Sequence, residues 1–422
     1  ADFWILLHHN LPSYKLLPPI IFYYLFITNP LLSKTSHIEQ EQYQYIKTKN
    51  MTKNKKEVNI ETRKGSTMDE WPEPIVRVQS LAESNLSSLP DRYIKPASQR
   101  PTTIEEAPAA TNIPIIDLEG LFLEDGSPDE AIMAQISEAC REWGFFQVLN
   151  HGVRPELMDA ARENWREFFH LPVNEKETHR NSPKTYEGYG SRLGVEKGAI
   201  LDWSDYYFLH LLPPHLKDFN KWPSFPPTIR EVIDEYGKEV VNLCGRIMKV
   251  LSLNLGLKEE KFQDAFGGEN IGACLRVNYY PKCPRPELAL GLSSHSDPGG
   301  MTILLPDDQV FGLQVRKNDM WITVKPHPHA FIVNIGDQIQ ILSNSAYKSV
   351  EHRVIVNSEK ERVSLAFFYN PKSDIPIQPL QELVSTHNPP LYPPMTFDQY
   401  RLFIRTQGPQ GKSHVESHVS PR

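Results

Sequence analysis

The sequence predicts a mainly β chain with flanking helices, and three observations carry that expectation. Between residues 272 and 370 short β segments separated by turn residues follow one another: ACLRVNYYP, MTILLPD, GLQVRK, WITVKP, AFIVNIGD, HRVIVN and RVSLAFFYNP. Several short strands at this spacing argue for an antiparallel sandwich or barrel. FIVNIG and SLAFFY are apolar on both parities, the pattern of central strands covered on both sides. The helical patterns lie before and after this stretch, so the helices are expected to flank the strands and not to alternate with them.

Taken in order, the elements begin after a long stretch with no convincing period. Residues 16–33 are uncharged, but Pro18, Pro19 and Pro30 leave only Ile20 to Ile27 uninterrupted, too short for a membrane-spanning helix. The first methionine is Met51, then Met68. Residues 1–50 are therefore expected to be a non-native or disordered upstream segment, with translation starting at Met51; a secretory signal is the second reading. Residues 51–112 are expected to form a polar tail followed by a helical and Pro-rich linker region, because the run before Trp71 has too few apolar residues to bury a core.

Residues 113–270 read as the helix-rich part of a single folded domain. IPIIDL (113–118) is a short strand, and residues 128–142 place Ile132, Ile136 and Ala139 on one helix face behind an acidic first turn. FFQVLNHG (145–152) reads as a strand ending in a turn, followed by helices over 155–169 and about 227–255. Residues 271–408 read as the β core with a closing helix at 396–407, capped by Thr396 and stopped by Gly408; 409–422 is a tail.

Composition narrows the function. Across 422 residues, 45 Lys and Arg stand against 52 Asp and Glu, with no long basic block. This argues against nucleic acid and anionic membrane as partners and favours a small-molecule ligand, with any anion met by a few placed arginines. Cys140, Cys244, Cys274 and Cys283 match neither a disulfide framework nor a zinc site and read as reduced packing thiols.

His295 and Asp297 stand at i and i+2 in LGLSSHSDPGG, so in extended chain they share a face. His352, in SVEHRVIV, would come alongside if the strands close into a double-stranded β-helix. Two histidines and a carboxylate on one face of a metal leave open positions, as in non-haem Fe(II) oxygenases. An HxD pair also arises by chance, and what adds weight is ERVSLAFF beyond His352. There Arg362 and Ser364 share a strand face, and a guanidinium fork with a neighbouring hydroxyl suits a dicarboxylate. The alternative is a strand arginine paired with Glu359 or Glu361.

HSD (295–297), EHR (351–353), RVS (362–364) and NYYPKCP (278–284), in that order, resemble the plant Fe(II)- and 2-oxoglutarate-dependent dioxygenases, and GFFQVLNHGV (144–153) is in the same style. The resemblance runs from about Pro114 to Gln407. It implies a jelly-roll, cupin-like core, with His295, Asp297 and His352 binding Fe(II). Arg362 and Ser364 would hold the distal carboxylate of 2-oxoglutarate, supported by Asn278 and Tyr280, whose alternative role is strand packing. The implied chemistry consumes O2 and 2-oxoglutarate, releases succinate and CO2, and hydroxylates a substrate, with ascorbate in support.

WPEPIVRVQSLAESNLSSLPDRYIKP (71–96), HSDPGGMTILLPDDQVFGLQV (295–315) and TFDQYRLFIRTQGPQGKSHVESH (396–418) are most similar to the jasmonate-induced oxygenases, which hydroxylate jasmonic acid. That resemblance implies 12-hydroxylation of the hormone, damping defence signalling, by a monomer in the cytoplasm and also the nucleus. The substrate has one carboxylate on an apolar body, so a local positive cluster beside aromatic walls is required. Arg401 and Arg405 form an i, i+4 pair on the closing helix, and Arg276 shares a strand face with Asn278. Phe208, Phe368 and Phe397 are the wall candidates. The alternatives are a solvated helix face for the arginines and ordinary core for the aromatics. At the level of function they are a flavonoid dioxygenase of the anthocyanidin synthase or flavonol synthase type, or a non-catalytic metal- or hormone-binding cupin.

Overall fold

The computed structural model describes residues 74–84, 86–101, 112–183, 186–191, 198–407, 411–417 and 419. The expectations for residues 1–50, for Met51 and Met68 and for Gly408 lie outside these. All described residues belong to one compact unit.

The described chain runs α1 (Val78–Glu83), β1 (Ile115–Asp117), α2 (Glu130–Glu142), β2 (Phe145–Leu149), α3 (Pro155–Phe169), α4 (Val173–Glu177), β3 (Gly188–Ser191), β4 (Asp205–Leu212) and α5 (Ile229–Leu253). It continues through α6 (Lys261–Ala265), β5 (Gly272–Tyr280), β6 (Leu292–His295), β7 (Met301–Leu305), β8 (Leu313–Lys317), β9 (Met320–Thr323) and β10 (Phe331–Ile335). The last elements are α7 (Asp337–Leu342), β11 (His352–Val354), β12 (Arg362–Asn370), β13 (Pro376–Ile377), β14 (Met395–Thr396), α8 (Phe397–Gln407) and α9 (Ser413–Ser417).

The strands form an eight-stranded sheet, β1-β2-β10-β7-β12-β5-β4-β3, a four-stranded sheet, β6-β11-β8-β9, and a β13–β14 pair. The larger sheet takes strands from both sides of residue 271. The chain is sheet-rich with helices packed on the sheet, and β10 and β12 are interior strands, as their two-sided apolar pattern predicts.

Two features depart from the expected pattern. β1 and β2 are parallel, because α2 lies between them and carries the crossover that parallel strands require; here a helix does alternate with strands. β3 and β4 fall where the sequence carries no expectation of a strand. DYYFLHLL in β4 alternates Tyr207, Leu209 and Leu211 in the core with Tyr206, Phe208 and His210 on the other face, a period masked by the surrounding prolines and polar turns.

α5 shows why the outer layer holds. Ile229, Ile233, Tyr236, Val240, Leu243, Ile247, Val250 and Leu251 recur at three and four residues and are all buried. With Leu157, Ala161, Trp165 and Phe168 of α3 they join one core cluster with Leu275, Val277, Tyr279, Val363, Leu365, Phe367 and Tyr369. The strand residues in that list are all odd-numbered. Because side chains alternate across a strand, the even-numbered residues of β5 and β12 face away from the helices, toward the interior between the sheets. Burial of each such side chain contributes roughly 1.5–3 kcal/mol.

At the entry, the Asp205 carboxylate accepts from the backbone N–H groups of Val78 and Gln79 at 3.0 and 2.8 Å, capping the short α1 from a distant strand. At the exit, Thr396 and Gln399 exchange backbone-to-side-chain bonds at 3.2 and 3.0 Å, a reciprocal cap that starts α8 where the sequence predicts it.

Candidate active site

β6 and β11 pair antiparallel with His295 directly opposite His352. Asp297 follows just after β6, 4% exposed, so chain reversal and not strand alternation aims it at the histidines. Its Oδ1 lies 3.5 Å from His295 Nε2 and 3.8 Å from His352 Nε2. One donor atom from each residue falls within 4.8 Å of the others.

The remaining atoms of the three side chains are already committed. His295 Nδ1 is 2.9 Å from the Ser293 carbonyl and His352 Nδ1 is 3.1 Å from the Val350 carbonyl. A carbonyl only accepts, so each Nδ1 carries a proton and each Nε2 is the ring nitrogen left for a metal. Asp297 Oδ2 accepts from Thr302 Oγ1 at 2.6 Å and Asn334 Nδ2 at 2.8 Å, which leaves Oδ1 for an ion. Burial, then His295, pushes His352 down to about 4, so it is a neutral ligand near neutrality. Burial acts to raise Asp297, but His352, His295 and Thr302 override it and hold the carboxyl below its usual range. Two imidazole nitrogens and a carboxylate oxygen with open positions fit Fe(II).

The even-numbered residues form rungs across the sheet's inner face. One rung runs His210, Cys274, Phe368, Thr302, Asn334 and Phe145. It reaches Asp297 through Thr302 and Asn334, and His352 through Phe145, whose ring lies 5.2 Å from the imidazole. The next rung holds Phe208, Arg276 and Ala366, then come Tyr206, Asn278 and Ser364, then Tyr280 and Arg362.

Arg362 is 4% exposed, and its Nη1 donates to Ser364 Oγ at 3.3 Å while its Nε has no partner. No described carboxylate pairs with it. Glu361 instead takes His170 at 2.6 Å and Tyr279 Oη at 2.7 Å, which removes the ion pair weighed as the alternative. A Cβ on Gly312 would come 3.2 Å from Arg362 Cδ, so the glycine makes room for the guanidinium. Tyr280 lies beneath it, ring centroid 5.2 Å away, and Asn278 Oδ1 accepts from Arg276 Nε at 2.8 Å. A buried cation with an orphaned donor and a hydroxyl at its side fits the distal carboxylate of 2-oxoglutarate.

The other arginines rest on aromatic faces. Arg276 lies 4.1 Å over Tyr206, Arg405 4.7 Å over Tyr186, and Arg401 5.0 Å over Phe397 while pairing with Asp398 at 2.5 Å. Arg401 is half-buried with its Nε unpartnered, and Arg405 is exposed. Phe208 and Phe368 are half-buried on the inner face, whereas Phe397 is buried. Thr302, Asn334, Tyr186, Tyr206 and His210 join the site without having been singled out by motif. The polar residues in the otherwise apolar MTILL and FIVNI were the available signal for the first two.

Fold and site together define the class. The 2OG-Fe(II) oxygenase superfamily model matches residues 271–371, and a model described as the non-haem dioxygenase in morphine synthesis N-terminal region matches 113–225. The chain belongs to the 2OG-Fe(II) oxygenase superfamily, and is an oxidoreductase using iron and 2-oxoglutarate.

Within that class the chain is 89% identical to jasmonate-induced oxygenase 2 of Arabidopsis thaliana over 372 residues, 88% of this chain and 100% of the relative. It is 73% identical to jasmonate-induced oxygenase 1 of the same plant over 395 residues, 92% of this chain and 98% of the relative. Among solved structures, that of JOX2 in complex with 2OG, Fe and JA is 88% identical and covers 84% of this chain and 100% of its own, with a TM-score of 0.78. A dioxygenase for auxin oxidation in rice matches with a TM-score of 0.62 at 26% identity, covering 73% of this chain and 100% of its own.

Proposed function

We propose that this enzyme hydroxylates jasmonic acid, at carbon 12, and so removes the hormone from defence signalling. The observation that carries the reading is the set of arginines at one end of the chamber in an otherwise acidic chain: Arg276 on β5, with Arg401 and Arg405 on α8, each against an aromatic ring. It is supported by the similarity to JOX2, whose solved structure holds JA, 2OG and Fe.

In this scheme His295, Asp297 and His352 would hold Fe(II), with the Nδ1 bonds to carbonyls and the two hydrogen bonds accepted by Asp297 Oδ2 orienting the side chains. When bound, iron and 2-oxoglutarate would activate O2, one oxygen atom going into the succinate formed with CO2 and the other into the substrate. Arg362 and Ser364 anchor the distal carboxylate, with Asn278 and Tyr280 beside them. Arg276, Arg401 and Arg405 take the hormone's carboxylate and fix where its apolar chain lies. Phe208, Phe368 and Phe397 line the apolar body and exclude water. Orienting one C–H bond is the protein's contribution to rate and to regiochemistry.

The site is complete within one chain, which supports action as a monomer. The four cysteines are buried free thiols, which suits the reducing cytoplasm and nucleus. Among the described residues no helix is long and apolar enough to cross a membrane. Ascorbate is expected to sustain turnover by keeping the iron reduced.

The test is anaerobic reconstitution of the full chain with Fe(II) and 2-oxoglutarate, then oxygen, with jasmonic acid and dihydroquercetin in parallel. A jasmonate product heavier by about 16 mass units, with matching succinate, is expected. Oxidation of the flavonoid alone overturns the role given to the arginines.

A further inference from the structure

The inner face of β4 carries a side chain that neither the metal end nor the 2-oxoglutarate end uses. His210 stands opposite Cys274, on the rung that carries Thr302 and Asn334, the two partners of Asp297. Its ring meets Phe208 edge-on, centroids 5.1 Å apart, and the residue is half-buried. Its backbone N–H is taken by Glu187 at 3.1 Å, and no described residue pairs with either ring nitrogen.

The charged and titratable groups around it come from several elements. Arg401 and Arg405 act on it from α8. Cys274, and Arg276 one rung along, face it from β5, and Glu187 reaches it from the turn before β3. Burial pushes the Cys274 thiol up to about 12, so it carries no charge. Burial also raises the Glu187 carboxyl above its ordinary value. For His210 itself, burial and then the two arginines hold the imidazole below its ordinary value, so the ring is neutral while the chamber is empty.

An arginine only donates hydrogen bonds, whereas a neutral imidazole donates one and accepts one. Burial works against a second proton on the ring, and a carboxylate that seats between Arg401 and Arg405 offsets the arginines' share of that effect and offers the protonated ring an acceptor. We propose that His210 is a further substrate-contacting residue, whose ring hydrogen-bonds the acid and takes up a proton from solvent as the acid seats against Arg401 and Arg405. The proton returns to solvent when the acid leaves. The inference rests on the jasmonate reading and adds to it a residue and a proton balance.

Calorimetry tests it without turnover. Jasmonic acid is titrated into the anaerobic full chain loaded with Fe(II) and 2-oxoglutarate, at about pH 6.5, the ordinary imidazole midpoint, in two buffers of different ionisation heat. The wild-type heats are expected to differ between buffers by a net proton uptake. His210→Gln is expected to lose that difference and bind about tenfold more weakly. Binding without buffer dependence in the wild type, which needs no variant to fold, overturns the inference and leaves the function standing. Unchanged uptake in His210→Gln also overturns it. Heat in neither buffer overturns the inference, and if equilibrium dialysis also retains no jasmonate the function reading falls with it.

Discussion

The two ends of the chamber are built differently. At the metal end every side chain is fixed by a second partner: the two imidazoles by carbonyls, Asp297 by Thr302 and Asn334. Most of these residues sit on paired strands, in register. At the acid end the cations come from a strand and from a late helix and rest on ring faces, with Arg276 also bonded to Asn278 and Arg401 to Asp398. The candidate metal ligands are thus held by the sheet, whereas two of the three arginines proposed for the substrate stand on a helix whose position is set by long-range packing.

The change that breaks this comparison hardest is at the metal end. His295→Ala or Asp297→Ala is expected to abolish both Fe(II) binding and turnover, read by metal analysis and succinate release; retained iron with lost turnover would mean another ligand set. Thr302→Val leaves all three donors in place but frees Asp297 Oδ2, and is expected to weaken Fe(II) affinity about 10- to 100-fold. An unchanged metal titration would show that Asn334 alone suffices. Arg362→Lys replaces a fork by a point charge and is expected to raise the 2-oxoglutarate KM about tenfold, with the jasmonate KM little changed.

At the acid end the expected effects are smaller and selective. Arg401→Ala should raise the jasmonate KM about five- to tenfold while Fe(II) and 2-oxoglutarate binding stay as they are. Equal losses for cosubstrate and substrate would erase the distinction between the ends. Leu243→Ala, buried in α5 on the outer face of the sheet, should cost about 2–5 kcal/mol of stability and leave both KM values unchanged in the folded fraction; an unfolding curve with kinetics below the transition reads both.

The metal end was legible because its residues lie in short runs whose spacing already implies geometry. HSD and RVS each place their functional pair two apart, but the aim of Asp297 from beyond the end of β6 and the approach of His352 both needed the fold. Arg362 was ambiguous, since two glutamates stand within three residues of it; the structure sends Glu361 to His170 and Tyr279 and leaves the guanidinium inside. β4 was illegible because its even face is polar and aromatic, lining a chamber, so it lacks the apolar and polar alternation of a strand that faces water. With β4 unseen, Tyr206 and His210 could not be placed beside Arg276.

By itself the sequence determined which side chains share a strand face, where the long helices run, and which donor types stand ready for a metal and a dicarboxylate. Alternation along a strand and the helical period are local rules, and they act wherever the residues stand. Tertiary structure alone decided that His295 faces His352, that the rung from His210 passes through Thr302 and Asn334, and that α8 brings Arg401 and Arg405 toward β4. Those neighbours are far apart along the chain, and sheet register and core packing are what bring them together.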